Sequence, residues 1–431
     1  MLGSVISALP PRSTSSQAVL GITSLIFIDK IIARYFKLKG WAFPSSLAGM
    51  VGIFITLCGI DKISPKNAEK LSDGLSPSVA FIKAWLPLFF VPPLVVLPLK
   101  MHLLNGVGLQ LTASIVLGAI LSLSATGLFA QAVDNLFPQP ASQTPSVAVG
   151  STPLPALPPL SFPAIATAAL FLASKVTSPS SSVTTAIQTA YGFSSTVTGY
   201  IAGTKVPAKA KKIAHPVLTC AAITTTLVAL LGLSSGLPPV RSLSQYFGSG
   251  SLKGAGDIIS SMLGPAILSF GVQLFQYRVM LLKNIFRVIT TTVFSAGLGL
   301  TSSAFLAKIF QLTPAQTALT LLTRCITTPL ALAGARLTGA DSSLSAFVVV
   351  ITGIFGASLG ESLLESIGVK EPVSVGLAVG GGAHGLGTAA MAHDPVKFAS
   401  AVVSMTLTGL WTVALLSLEP VRTRIVSLAL L

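Results

Sequence analysis

Apolar runs close to membrane-crossing length recur along the chain, separated by short polar or glycine-containing stretches. A helix needs about 20 predominantly apolar residues to cross the hydrocarbon of a bilayer. In the first part such runs fall at residues 18–32, 43–60, 79–99 and 103–133, the last longer than one crossing requires. More follow at 165–176, 184–203, 213–233, 258–275, 285–310, 315–333, 345–367, 373–391 and 398–418. Several of these are short or interrupted. The pattern predicts an all-α polytopic membrane protein with about 12 transmembrane helices, some of them broken in the second half.

Between the two groups the character of the chain changes. Residues 134–163 read "DNLFPQPASQTPSVAVGSTPLPALPPLSFP", with eight prolines and no basic residue. Proline removes amide donors and favours extended backbone, so this stretch reads as a semi-rigid linker with little regular structure. The expected division is a membrane module at 1–133, the Pro-rich linker at 134–163 and a second membrane module at 164–431. Charge leaves the orientation open. Lys30, Arg34, Lys37 and Lys39 mark one loop as positive, while Lys205, Lys209, Lys211 and Lys212 fall on the other side if every run crosses. The opening residues, "MLGSVISALPPRSTSSQ", are Ser-rich and acid-free with one arginine, in the manner of the end of a transit peptide.

Composition decides the solvent. Hydrophobic residues make up 52% of the 431 and charged ones only 9%, where soluble proteins carry roughly 25% charge. The net charge of +15 then points to anionic lipid and membrane orientation, not to nucleic acid. Cys58, Cys220 and Cys325 lie far apart in apolar sequence and read as small core residues. No metal-ligand spacing and no nucleophile-plus-base arrangement appears, so no metal, cofactor or enzymatic activity is expected.

Two places resist lipid. In "LLTRCITTPLALAG", residues 321–334, Arg324 stands among apolar residues, where an arginine costs several kcal/mol. Pro329 disfavours helix at Thr328 and removes a donor, so the helix should break near Thr327 and Thr328. A half-helix beginning inside the membrane offers free amides and a positive dipole end to an anion. Alternatively the threonines and proline only kink a helix and Arg324 snorkels to the interface.

The second place is "VGLAVGGGAHGLGTAAMAHDP", residues 375–395. Gly380, Gly381, Gly382, Gly385 and Gly387 work against continuous helix, and opened backbone at membrane depth must face protein or water. His384, at that point, is a side chain whose ordinary titration lies near neutral pH. Close helix packing through small residues is the alternative, and it leaves the histidine unexplained. "GLGTAA" also fits a dinucleotide-binding fingerprint, but no strand precedes it and no acid follows at the required distance. His102, His215 and His393 sit beside span ends. Glu361 and Glu365, one turn apart, either mark a span end or make Glu361 a proton carrier.

"LLTRCITTPLALA" and "GGGAHGLGTAA", with "LGPAILSFGVQLFQYR" before and "FASAVVSMTLTGLWT" after, resemble the LrgB/CidB membrane proteins over about residues 161–418. "FPSSLAGM" and "LPLFFVPPLVV" are similar to the LrgA/CidA partner over about 17–133. A single chain carrying both resembles the plastidal glycolate/glycerate translocators of plants and algae. That resemblance implies a photorespiratory carrier of the chloroplast inner envelope, exchanging glycolate for glycerate or coupling transport to protons, with Thr327, Thr328, Pro329, His384, Gly387 and Thr388 carried over. Relatives often have Lys-Ser where this chain has Arg324 and Cys325, and Gly-Thr where it has Gly380–Gly382.

Glycolate and glycerate are small anions bearing a 2-hydroxyl. Arg324, Thr327 and Thr328 supply a cation and donors for a carboxylate, with Pro329 setting the break; His384 and Thr388 offer partners for the hydroxyl, with Gly382, Gly385 and Gly387 opening the backbone. His384 or Glu361 would carry the proton. The expected partners are these organic anions and membrane lipid, with a homo-oligomer compatible with the pattern. The rival reading is a holin/antiholin-like pore or murein-hydrolase regulator, which needs a wide passage and no selective anion site.

Overall fold

The computed structural model describes residues 12–41, 44–137, 155–176, 182–207, 210, 216–248 and 253–430. Its regular elements are all helical. The longer ones in the first part are α1 (Arg12–Lys39), α2 (Ser45–Ile63), α3 (Pro65–Phe89) and α4 (Gly108–Leu136). Next come α5 (Ser161–Val176), α6 (Ser182–Thr204), α7 (Pro216–Leu233), α8 (Leu263–Gln276) and α9 (Ile285–Ile309). The last are α10 (Thr328–Thr338), α11 (Ser342–Phe355), α12 (Pro372–Ala390), α13 (Pro395–Ser417) and α14 (Glu419–Leu430).

Among the described residues, nine helical stretches are long and apolar enough to cross a membrane. The difference from about twelve expected crossings has identifiable causes. Helix α5 has 16 residues, and α6 is rich in Ser and Thr. The runs at 315–333 and 373–391 are broken. Most of the Pro-rich stretch (138–154), with Lys209, Lys211, Lys212 and His215, lies outside the described residues. Within the described part, α4 continues to Leu136 and α5 begins at Ser161, so helix extends into both ends of the sequence-defined linker.

Two compact units draw on non-contiguous segments. One contains residues 84–103 and 155–263; the other contains 13–83, 104–137 and 264–430. In the first, hydroxyls join α5 to α6, where Thr167 meets Ser194 at 2.8 Å and Thr198 at 3.1 Å, and α6 to α7, where Tyr191 donates to the Leu227 carbonyl at 2.9 Å. Tyr200 donates to the Ala84 carbonyl at 2.7 Å.

The second unit holds both resistant stretches. Helix α12 is buried on all sides from Val373 to Thr388, enclosed by α13, α4, α11 and α9. Its glycines largely explain this. A Cβ at Gly380 would lie 2.8 Å from the carbonyl carbon of Ala401, and one at Gly376 would lie 2.6 Å from the Ser400 Cβ. These two glycines, one turn apart, let α12 and α13 approach backbone to backbone, the small-residue packing of membrane helices. On other faces, Gly381 abuts Ser295 of α9 and Gly382 abuts Leu123 of α4. Gly380→Ala should therefore destabilise the fold by about 1–3 kcal/mol, the usual cost of overpacking. Thermal unfolding in detergent checks this, with Gly59→Ala as control, since nothing lies within 4 Å of a Cβ there.

Candidate anion site at two broken helices

The first break is built by the sequence Arg324–Pro329. A short 3-10 turn, Leu319–Thr323, ends at Arg324, and α10 restarts with Thr327 at its N-cap in extended conformation and Pro329 in its first turn. Proline suits a first turn because the amide it lacks has no intrahelical partner there. Thr327 and Thr328 are both buried. Neither supplies a cap in the usual way: Thr327 makes no side-chain cap bond, and the Thr328 hydroxyl has no partner among the described residues. The positive end of α10 is thus left unneutralised by its own residues.

Arg324 is 0% exposed. Its Nε donates to Ser303 Oγ at 2.9 Å, and its Nη2 donates to Ser122 Oγ at 2.7 Å and Ser302 Oγ at 3.0 Å. Nη1 has no partner among the described residues. A Cβ at Gly118 would sit 2.7 Å from the guanidinium carbon, so the planar group lies against bare backbone. No carboxylate pairs with this arginine among the described residues, in contrast to two others in the same unit. Arg287, 5% exposed, donates to Asp134 at 2.9 Å and also to Glu371, and Arg278 pairs with Asp61 at 2.8 Å. A buried charge surrounded only by hydroxyls is costly until an anion joins it.

The second break falls on one residue. Within α12, His384 has φ 42° and ψ −138°, a conformation L-residues rarely adopt and one that costs of order 1–3 kcal/mol. Its Nε2 lies 2.8 Å from the Val349 carbonyl. A carbonyl only accepts, so Nε2 carries the hydrogen, and in the neutral ring Nδ1 is an acceptor. Nδ1 is buried without a partner among the described residues. Room for the ring comes from Gly353 on α11, where a Cβ would stand 2.6 Å from Cε1.

Both breaks rest on the same two helices. The first meets α4 at Gly118 and Ser122, and α9 at Gly299, Ser302 and Ser303; the second meets α4 at Leu123 and α9 at Ser295. On α4 Ser122 and Leu123 are adjacent residues, and on α9 Ser295 lies one to two helical turns before Gly299, Ser302 and Ser303. The two helices are joined there by Thr126, which donates to Ser295 at 3.4 Å.

The other sequence-predicted residues separate into two groups. Gly382, Gly385 and Gly387 are buried around His384. Thr388 is buried too, but its hydroxyl is directed at the Ala401 carbonyl at 3.4 Å, tying α12 to α13. Glu361 stands apart, in an ion pair with Lys397 and 3.6 Å from His393 Nε2. Sequence reasoning passed over Gly118, Ser122, Ser302, Ser303 and Gly353. A serine in an apolar helix is common, and nothing local says that it faces a guanidinium 202 positions away.

An all-helical fold with nine helical stretches of membrane-crossing length among the described residues is that of a multi-pass membrane protein, and its second unit holds two interrupted helices and a buried arginine with no carboxylate partner among the described residues. The LrgB-like family model matches residues 196–419, and the LrgA family model matches residues 26–130. The plastidal glycolate/glycerate translocator 1, chloroplastic, of Arabidopsis thaliana is 35% identical over 427 residues, covering 95% of this chain and 82% of that protein. The antiholin-like protein LrgB of Bacillus subtilis is 30% identical over 159 residues, covering 37% of this chain and 68% of that protein. No solved structure matches. The chain belongs to the LrgB-like family and carries an LrgA-family segment ahead of it. Its class is membrane transport, not catalysis.

Proposed function

We propose that the chain carries small 2-hydroxy monocarboxylates, glycolate and glycerate in particular, across the chloroplast inner envelope by exchange or with protons. The observation that carries this reading is Arg324: fully buried, held by three serine hydroxyls, and with Nη1 unpartnered among the described residues. A carboxylate would supply the missing anion through charge-assisted hydrogen bonds. The N-terminus of α10 and the Thr328 hydroxyl would add donors, and the 2-hydroxyl would donate to His384 Nδ1. The similarity to the Arabidopsis translocator over most of both chains supports the substrate class. Proton movement would run through His384. Glu361, paired with Lys397, is then a span-end contact.

The Bacillus relative's name favours one other reading, an antiholin-like pore component. Counterflow decides between them. In proteoliposomes preloaded with unlabelled glycerate, labelled glycolate should accumulate transiently above equilibrium and the initial rate should saturate. Linear, unselective flux of glycolate, lactate and glucose alike would reject the carrier.

The division of the chain at the Pro-rich stretch is likewise a proposal. Halves separated at Val147 and co-expressed should restore uptake, whereas the second half alone should not. Reconstitution assays on both preparations test this.

A further inference from the structure

Ser122 and Gly118 stand on α4, inside the segment matched by the LrgA family, residues 26–130. Ser122 is buried, and its Oγ accepts twice: from Arg324 Nη2 at 2.7 Å and from the Cys325 thiol at 3.6 Å. Its own hydroxyl hydrogen has no acceptor among the described residues. It does not bond back to the preceding helical turn, as Ser114 on the same helix does by donating to the Gln110 carbonyl at 2.8 Å. A serine that orients a guanidinium with its lone pairs keeps its hydrogen for a further acceptor beside that cation. Gly118, one turn before it, is the platform on which the guanidinium lies; a methyl group there would overlap both Cζ and Nε at 2.7 Å.

We infer that α4 forms one wall of the anion site, with the Ser122 hydroxyl donating to the bound carboxylate and Gly118 setting the position of Arg324. The LrgA-family segment then contributes binding groups to the same site as the LrgB-like segment, beyond any scaffolding role. This rests on the reading of Arg324 as the carboxylate site. It also explains why the serines of α9 do not suffice: Ser303 takes the Nε hydrogen and Ser302 one Nη2 hydrogen, and the second Nη2 hydrogen goes to Ser122 on α4.

The test is a set of α4 variants in proteoliposomes, read by labelled glycolate uptake and by melting temperature with and without glycolate. Ser122→Ala should raise KM for glycolate about tenfold with little change in maximal rate, the effect of losing one hydrogen bond to a charged group. Ser122→Thr should restore the wild-type KM. Ser122→Asp places a carboxylate against Arg324, so it should raise the melting temperature while abolishing both uptake and the glycolate-induced shift. Wild-type KM in Ser122→Ala and retained uptake in Ser122→Asp would overturn the inference. If Arg324→Gln in the same assay loses glycolate binding, the anion site itself stands; if it too behaves as wild type, the underlying reading fails instead. Should Ser122→Asp fail to insert, the Ala and Thr pair decides by the KM alone.

Discussion

Arg324→Gln should lower glycolate uptake at subsaturating substrate by about a hundredfold, while leaving the folded protein as stable as wild type or more so. The first part follows from the loss of charge-assisted hydrogen bonds, each worth about 1.5–3 kcal/mol, and of the positive charge that attracts the carboxylate. The second reflects the cost of the arginine without a ligand. Its three serine partners are neutral, and removing an uncompensated buried charge relieves the fold. Gain of stability with loss of activity is the expected trade where a site is built for a ligand. Arg287→Gln should behave oppositely. There the charge is already matched by Asp134 and Glu371, so its removal strands two carboxylates and lowers the melting temperature. Comparing the two variants by uptake and thermal unfolding separates a binding arginine from a structural one.

His384→Gly should abolish discrimination between glycolate and acetate while the protein still folds. Glycine accepts the φ of 42° that histidine holds under strain, so the break persists, but Nδ1 is gone. Uptake of glycolate should fall about tenfold toward that of acetate, the worth of one hydrogen bond with its partner otherwise left unpaired. His384→Gln removes the ring but keeps hydrogen-bonding groups, so uptake and the preference for glycolate should survive in part, which separates the hydrogen bond from the ring's packing. Equal glycolate-to-acetate ratios in wild type and His384→Gly would assign the ring to packing against Gly353.

Both breaks were legible because each carries a residue type that lipid rejects beside one that helix rejects. Arg324 stands near Pro329, and His384 stands among glycines. The glycine string was legible only in part. In the sequence, backbone opening and close packing stand as alternatives, yet both occur: Gly376 and Gly380 seat α12 on α13, while the non-helical backbone within α12 is confined to His384. The cage around Arg324 was not legible, since Ser122, Ser302 and Ser303 are ordinary hydroxyls until distant segments fold together. Asp134 read as the first residue of a linker because the stretch after it is rich in proline. In the fold it belongs to the last turn of α4 and pairs with Arg287 across 153 positions.

The most direct measurement is the thermal stabilisation of purified protein by glycolate compared with glycolamide, the uncharged amide of the same size and hydroxyl. A ligand that binds only the folded state at a hundred times its dissociation constant stabilises by about 2.7 kcal/mol. Glycolate should raise the melting temperature of the wild type and leave Arg324→Gln unchanged, and glycolamide should shift neither. Equal shifts by the acid and the amide, or a full glycolate shift in Arg324→Gln, would contradict the assignment of the buried guanidinium as the carboxylate site.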